Sequence, residues 1–132
     1  MIAIKKIIDC LSSSLDNIQG IYLFGSYASG DATEKSDVDI AVLCIKRLSF
    51  DLKLSLTSSL AMTLNKEVDL VELRYIDTIF KEEIIRTANR IATFDRVACE
   101  KYEDYIYCSA MDFREFRSPH VQEIIERGYI HG

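Results

Sequence analysis

An unbroken apolar run followed directly by glycine and serine is the feature that most constrains how this chain can fold. Residues 21–24 read Ile-Tyr-Leu-Phe, which is typical of a short strand buried on both faces. Gly25 and Ser26 follow, and residues 25–36 are rich in Gly, Ser, Asp and Thr, which predicts a loop that can hold a short helical turn. Apolar and polar residues alternate over 37–43, so this segment is predicted to be the next strand.

The other segments predict helices and two further strands. Apolar residues recur at helical steps over 2–18, and Gly20 is expected to end that helix. Residues 49–65 fit both a strand and a helix, but their length and Ser49 as a plausible N-cap favour the helix. The elements predicted after it are a strand at 68–73, a helix at 76–87, an edge strand at 90–94, a helix at 95–116 broken at Ser118-Pro119, and a short helical tail at 120–127. This order predicts an α/β (α+β) fold, a small mixed β-sheet with helices on one face.

The length and charge of the chain limit its class. With 132 residues, 48% of them hydrophobic, it is predicted to form a single domain over 1–132, with a core at 1–94 and a C-terminal helix and tail at 95–132. No apolar run approaches the roughly 18–20 residues that cross a membrane, so we expect a cytoplasmic protein with no membrane partner. The net charge is −5 and Lys and Arg do not cluster, so no direct nucleic-acid binding is expected.

The four cysteines are spaced too widely to suggest a metal site. They stand at positions 10, 44, 99 and 108 without a CxxC pair, and neither His120 nor His131 lies near one at zinc-ligand spacing. We therefore predict free thiols, mostly as small core residues, and no zinc.

Three carboxylates follow the glycine–serine pair. Asp37 and Asp39 stand two residues apart on the predicted strand, so their side chains are expected on one face, roughly 6–7 Å apart at the backbone. Neighbouring carboxylates repel and raise each other's pKa, and two hard cations would relieve that cost. Asp69, on the next predicted strand, is the best third ligand, ahead of Glu67 and Glu72. Mg²⁺ is the expected ion because it takes a few carboxylates together with substrate phosphates.

Gly25 and Ser26 supply the chemistry of a phosphate cradle. A residue without Cβ lets the backbone approach a polyphosphate closely, and the serine hydroxyl can donate a further hydrogen bond. Gly25 and Gly30 have the spacing of a P-loop, but Asp31-Ala32 stands where that motif requires Lys and Ser or Thr. A P-loop ATPase is therefore excluded.

Together these motifs resemble the nucleotidyltransferase superfamily that includes polymerase beta, whose signature is Gly-Ser, a loop and Asp-x-Asp. The stretches 25–32 and 36–40 are similar to its minimal nucleotidyltransferase (MNT) branch, and the length and tyrosine-rich C-terminal helix resemble the antitoxins of HEPN/MNT toxin–antitoxin pairs. The resemblance implies a polymerase-beta-like fold. It implies that Asp37 and Asp39 bind two Mg²⁺ ions and that Asp69 completes the coordination shell of the catalytic ion. It also implies that Gly25 and Ser26 hold the triphosphate of ATP.

The resemblance also implies the reaction and the partner. A tyrosine hydroxyl of a HEPN ribonuclease toxin would attack the α-phosphorus of ATP, which releases pyrophosphate and leaves AMP on the inactivated toxin. Many relatives carry an arginine where Ser29 stands, and Lys35 or Lys66 could replace its contact with the phosphates. Two alternatives stay open: an antitoxin that neutralises its partner by contact alone, and a nucleotidyltransferase acting on a small molecule or an RNA end. The three retained carboxylates argue against the first, and the acidic charge argues against the second.

Overall fold

The computed structural model describes residues 2–117, with side chains through residue 109. Its elements are α1 (Ile4–Ser14), β1 (Ile18–Phe24), α2 (Ser26–Ser29), β2 (Val38–Cys44), α3 (Phe50–Leu64), β3 (Val68–Glu72), a 3₁₀ turn (Leu73–Tyr75), α4 (Thr78–Thr87), β4 (Asn89–Thr93) and α5 (Arg96–Arg117). The predicted break at Ser118-Pro119 and the helical tail at 120–127 lie outside the described residues.

The four strands form one mixed sheet in the order β3-β2-β1-β4. The central strand β1 is antiparallel to both β2 and β4, whereas β2 and β3 run parallel. The predicted mixed sheet is therefore confirmed, as is the edge strand near residues 90–94. Residues 49–65, which fitted both a strand and a helix pattern, contain the helix α3. Its N-cap is Ser49, whose hydroxyl accepts a hydrogen bond from the Leu52 N–H at 3.2 Å.

Helices cover both faces of this sheet, so the prediction of helices on one face only is wrong. Successive residues of β1 alternate between two buried clusters, because side chains on a strand point in turn to opposite faces. One cluster joins the sheet to α1 and α3 through Ile7, Leu11, Leu56 and Leu60. The other joins it to α4 and α5 through Ile84, Cys99 and Ile106. The continuous apolar run of β1 is the sequence signal of this double burial.

The boundary between α1 and β1 also differs from its prediction. The helix ends at Ser14, and Gly20 lies inside β1 instead of ending a helix. A Cβ at Gly20 would come within 2.6 Å of the Cys99 Sγ in α5. The glycine is therefore explained by the close approach of α5 to the sheet, a contact between residues 79 positions apart that local periodicity does not reveal.

Two further predictions concern the state of the cysteines and the presence of a membrane-spanning segment. Cys10, Cys44, Cys99 and Cys108 are all free thiols, as predicted. Among the described helices, none is both long and apolar enough to cross a membrane.

Candidate active site

The parallel register of β2 and β3 places two of the predicted carboxylates side by side. Asp39 is paired with Asp69 in that register, and neighbouring strands are about 4.8 Å apart. On its other side Asp39 is paired with Phe24, the last residue of β1. Asp37 lies directly before the first residue of β2. The structure thus brings the three aspartates to one end of the sheet, next to the end of β1.

These aspartates form a cluster of negative charge. Burial raises the pKa of the half-buried Asp39, and the negative charges of Asp69 and Asp37 raise it further. Asp37 and Asp69 are themselves exposed. Among the described side chains, none of the three carboxylates takes part in a hydrogen bond or ion pair, so no direct partner offsets their mutual repulsion.

Gly25 touches this cluster through its backbone. Its φ is +72° and its ψ is −151°, a combination that is essentially restricted to glycine. A Cβ added there would collide with the carboxylate of Asp39. Both the backbone conformation and the close approach therefore require glycine at this position, which periodicity alone could not indicate.

Ser26 opens the short helix α2 that follows Gly25. The turn is held locally, since the N–H groups of Ala28 and Ser29 donate to the Gly25 carbonyl at 3.0 and 3.1 Å. Ser29 closes it with a hydroxyl that donates to the Asp31 carboxylate at 3.0 Å. The short helical turn expected in the glycine loop is confirmed, and the Ser29 hydroxyl is engaged in local hydrogen bonds at its end.

The two candidate lysines lie beside Asp37. Lys35 is exposed on the loop before β2, whereas the Lys66 ammonium donates to the Glu34 carbonyl at 2.9 Å. Lys35, Lys66 and Asp37 line one groove of about 640 Å³ between that loop and the end of α3. The residues that line this groove do not include Gly25 or Ser26.

The two lesser candidates have structural contacts. Glu72 is buried at the opposite end of β3, where its carboxylate accepts a hydrogen bond from the Leu48 N–H at 2.7 Å. Glu67 is exposed, and its carbonyl accepts the Val38 N–H at 2.9 Å, which begins the pairing of β2 with β3. Glu72 therefore does not belong to the aspartate cluster.

An aromatic pair that the sequence analysis missed lies next to Asp39. Phe80 of α4 packs edge-on against Phe24, with ring centroids 5.8 Å apart, and Phe24 is the register partner of Asp39. The pair extends the apolar core to the strand position beside Asp39. Its only sequence signal is that Phe80 lies on the apolar face of a predicted helix.

The carboxylates suit Mg²⁺ if a nucleotide supplies the remaining ligands. Among the described residues, no three His, Cys, Asp or Glu side chains converge as a preformed metal site. Proteins, however, commonly hold Mg²⁺ through one or two carboxylates together with substrate phosphates and water. The oxygens of Asp39 and Asp69 match that requirement. The pKa of Asp39 is raised by burial and then by the charges of Asp69 and Asp37, and a bound cation would offset that cost of ionisation.

One relative of this chain is named as an adenylyltransferase. Protein adenylyltransferase MntA of Shewanella oneidensis is 37% identical over 87 residues, which cover 66% of this chain and 63% of MntA. The match therefore spans less than two thirds of the length of that relative.

Solved structures resemble the whole fold. A crystal structure of a toxin–antitoxin with AMP-PNP matches with a TM-score of 0.73 and 28% identity, over 94% of this chain and 96% of that one. A structure of tri-AMPylated Shewanella oneidensis HEPN toxin in complex with MNT antitoxin matches with a TM-score of 0.74 and 26% identity, over 92% and 95% of the two chains.

The family assignment rests on the part of the chain that contains the site. The family described as polymerase beta nucleotidyltransferase matches residues 5–96, which is more than half of the sequence. That range contains the glycine–serine pair and all three aspartates. The chain belongs to the polymerase beta nucleotidyltransferase family.

Proposed function

We propose that this protein is an antitoxin that transfers AMP from ATP to a tyrosine of a HEPN-type toxin in the cytoplasm and thereby neutralises it. The observation that carries the proposal is the pairing of Asp39 with Asp69 beside the backbone of Gly25. Membership of the nucleotidyltransferase family supports the reaction type. The names of the relatives, a protein adenylyltransferase and an MNT antitoxin in complex with an AMPylated HEPN toxin, support a protein acceptor.

In this proposal the glycine loop and a lysine bind the triphosphate. Gly25 has no Cβ to hold the phosphates away from the backbone, and Ser26 adds a hydroxyl donor. Lys35 is exposed at the groove that reaches Asp37, so its ammonium can offset part of the phosphate charge. The phosphates are thereby directed toward the aspartate cluster.

Asp37 and Asp39 would hold two Mg²⁺ ions, and Asp69 would complete the shell of one of them. When bound, such ions neutralise the phosphate charge and make the α-phosphorus more electrophilic. The acceptor tyrosine oxygen then forms a bond to the α-phosphorus while the bond to the pyrophosphate oxygen breaks. Asp69, exposed on the edge strand β3, accepts the proton of the tyrosine hydroxyl.

The mass of the partner tests this proposal. The protein is incubated with ATP, Mg²⁺ and the HEPN-type protein encoded beside it, and the intact mass of that protein is measured. We expect a gain of one or more AMP units, which EDTA abolishes and Asp39→Asn reduces by at least about 100-fold. The matched variant Asp9→Asn changes an exposed carboxylate on α1 and should keep the activity.

Other results would identify the alternatives. If the wild type and Asp39→Asn both neutralise the toxin with no gain in its mass, the protein acts by binding alone. If pyrophosphate is released with a small alcohol or an RNA but never with the HEPN-type protein, the acceptor is not a protein. Either result contradicts the proposal.

A further inference from the structure

The turn between α3 and β3 is fixed by the end of the helix. α3 ends at Asn65, which has a left-handed backbone with φ of +54°. The N–H groups of Asn65 and Lys66 both donate to the Ala61 carbonyl, the second at 3.2 Å. This pattern satisfies the last carbonyls of the helix and holds the backbone at Lys66 in place.

Two consecutive residues of this turn, Lys66 and Glu67, form hydrogen bonds with the backbone on either side of Asp37. The Lys66 ammonium donates to the Glu34 carbonyl at 2.9 Å, three residues before Asp37. The Glu67 carbonyl accepts the Val38 N–H at 2.9 Å, one residue after it. Since Asp69 follows two residues later in β3, one short segment contacts the backbone on either side of Asp37 and carries Asp69.

The loop before Asp37 is otherwise shaped by its own residues. The Ser36 hydroxyl accepts the Thr33 N–H at 2.8 Å, and the Ser36 N–H donates to the Thr33 carbonyl at 3.1 Å. These bonds set the shape of the loop but not its position relative to β3. The Lys66 ammonium, which belongs to the turn leading into β3, joins the loop to that strand.

We propose that Lys66 is a positioning residue, which acts through the Glu34 carbonyl to hold Asp37 beside Asp69 and thereby strengthens cation binding by the aspartates. Its ammonium is bonded to a carbonyl, which distinguishes this role from direct contact with phosphate. The inference rests on the proposed function only for the expected change in kcat. Its structural consequence and its effect on cation affinity do not depend on the acceptor.

The first test compares three variants without the partner, with amide exchange measured on the free protein and Mn²⁺ binding measured in the presence of AMP-PNP. Lys66→Met removes the ammonium, Lys66→Arg retains donors, and Lys46→Met makes the same change on an exposed lysine just after the other end of β2. In Lys66→Met we expect the amides of 35–38 to exchange with solvent about fivefold faster, because the loop loses its bond to the turn. We also expect the dissociation constant for Mn²⁺ to rise roughly 3- to 10-fold, since displaced ligands bind less tightly. Lys66→Arg should restore both values, and Lys46→Met should change neither.

The second test separates positioning from phosphate binding. With the HEPN-type partner, Lys66→Met should lower kcat about 10-fold and leave the KM for ATP within about twofold, because small displacements of reacting groups are costly. A higher KM for ATP with unchanged kcat, amide exchange and Mn²⁺ affinity would show direct phosphate contact and overturn the proposal. Faster exchange without weaker Mn²⁺ binding would overturn it as well, since Lys66 would then merely fasten the loop. If the wild type transfers nothing, the proposed function fails, and the exchange and Mn²⁺ results still decide the role of Lys66.

Discussion

The two ends of β3 carry acidic residues in opposite situations. At one end Asp69 lies beside Asp39, and among the described residues neither carboxylate has a hydrogen-bond or ion-pair partner. At the other end Glu72 is only 8% exposed, and its carboxylate accepts the Leu48 N–H at 2.7 Å. A carboxylate that satisfies a buried donor stabilises the fold, whereas a pair of unpartnered carboxylates destabilises it. Within a strand of five residues, the comparison therefore separates Glu72, which has a structural contact, from Asp69, which we propose to be functional.

The Glu72 end is tied to the rest of the protein by further contacts. Arg74 donates to the Cys44 carbonyl at 2.8 Å and to the Gln19 side chain at 2.6 Å. Its guanidinium also lies 4.7 Å from the ring centroid of Tyr102 in α5. These bonds join β2, β1 and α5 at that end. At the aspartate end the carboxylates themselves lack such contacts in the described residues and are left free to bind a ligand.

The largest effect is expected from adding a methyl group at the aspartate end. Gly25→Ala places a Cβ against the Asp39 carboxylate and occupies a backbone conformation that disfavours alanine. We expect AMP transfer to fall at least about 100-fold and the free energy of unfolding to fall by about 1–3 kcal/mol, measured by partner mass and urea denaturation.

Gly30→Ala is the matched control. Gly30 also has a positive φ, +85°, but a Cβ there meets nothing within 4 Å. It should lose about 1 kcal/mol of stability and keep most of its activity. Equal loss of activity in both variants would show that backbone strain, and not the contact with Asp39, is responsible.

The next largest effect concerns stability at the other end of β3. Glu72→Leu leaves the Leu48 N–H buried without its acceptor, which costs about 1–3 kcal/mol in the free energy of unfolding. Glu72→Gln retains a carbonyl acceptor and should lose less. Activity per folded molecule should be unchanged in both, as measured by transfer at a temperature well below unfolding. A loss of transfer in fully folded Glu72→Gln would contradict the structural role.

The smallest effect is a gain in stability that depends on pH. Because the pKa of Asp39 is raised in the folded protein, its ionised form costs stability above the folded pKa, and that cost is absent below the unfolded pKa. Without divalent cations, Asp39→Asn should therefore raise Tm at neutral pH. The gain should shrink as the pH falls into the acidic range. A constant difference in Tm from neutral to acidic pH would contradict this assignment.

The fold and the site differ in how far the sequence determines them. Local patterns correctly predicted α3 with its Ser49 cap, the four strands and the turn after Gly25, because these depend on nearby residues. The start of β1 was predicted too late in the sequence because Gly20 was expected to end a helix. The glycine is instead required by the close approach of Cys99 in α5. Which faces the helices cover also depends on contacts between distant segments.

The site shows the same division between local and distant information. Asp37, Asp39 and Asp69 were identified as candidates from their types and spacing. The register that pairs Asp39 with Asp69, and the bond from Lys66 to the loop, depend on how β2 and β3 meet. The sequence could therefore identify the acidic candidates. Spacing alone could not show that Glu72, unlike the three aspartates, accepts a hydrogen bond from a buried backbone amide.

Measurement of stability and AMP transfer on one preparation of Asp39→Asn tests the central claim most directly. The account predicts that Tm at neutral pH rises in the absence of divalent cations while transfer to the HEPN-type partner is lost, because Asp39 serves the reaction at the expense of the fold. A variant that becomes less stable as it loses transfer, or one that still transfers AMP at the wild-type rate, would contradict the account.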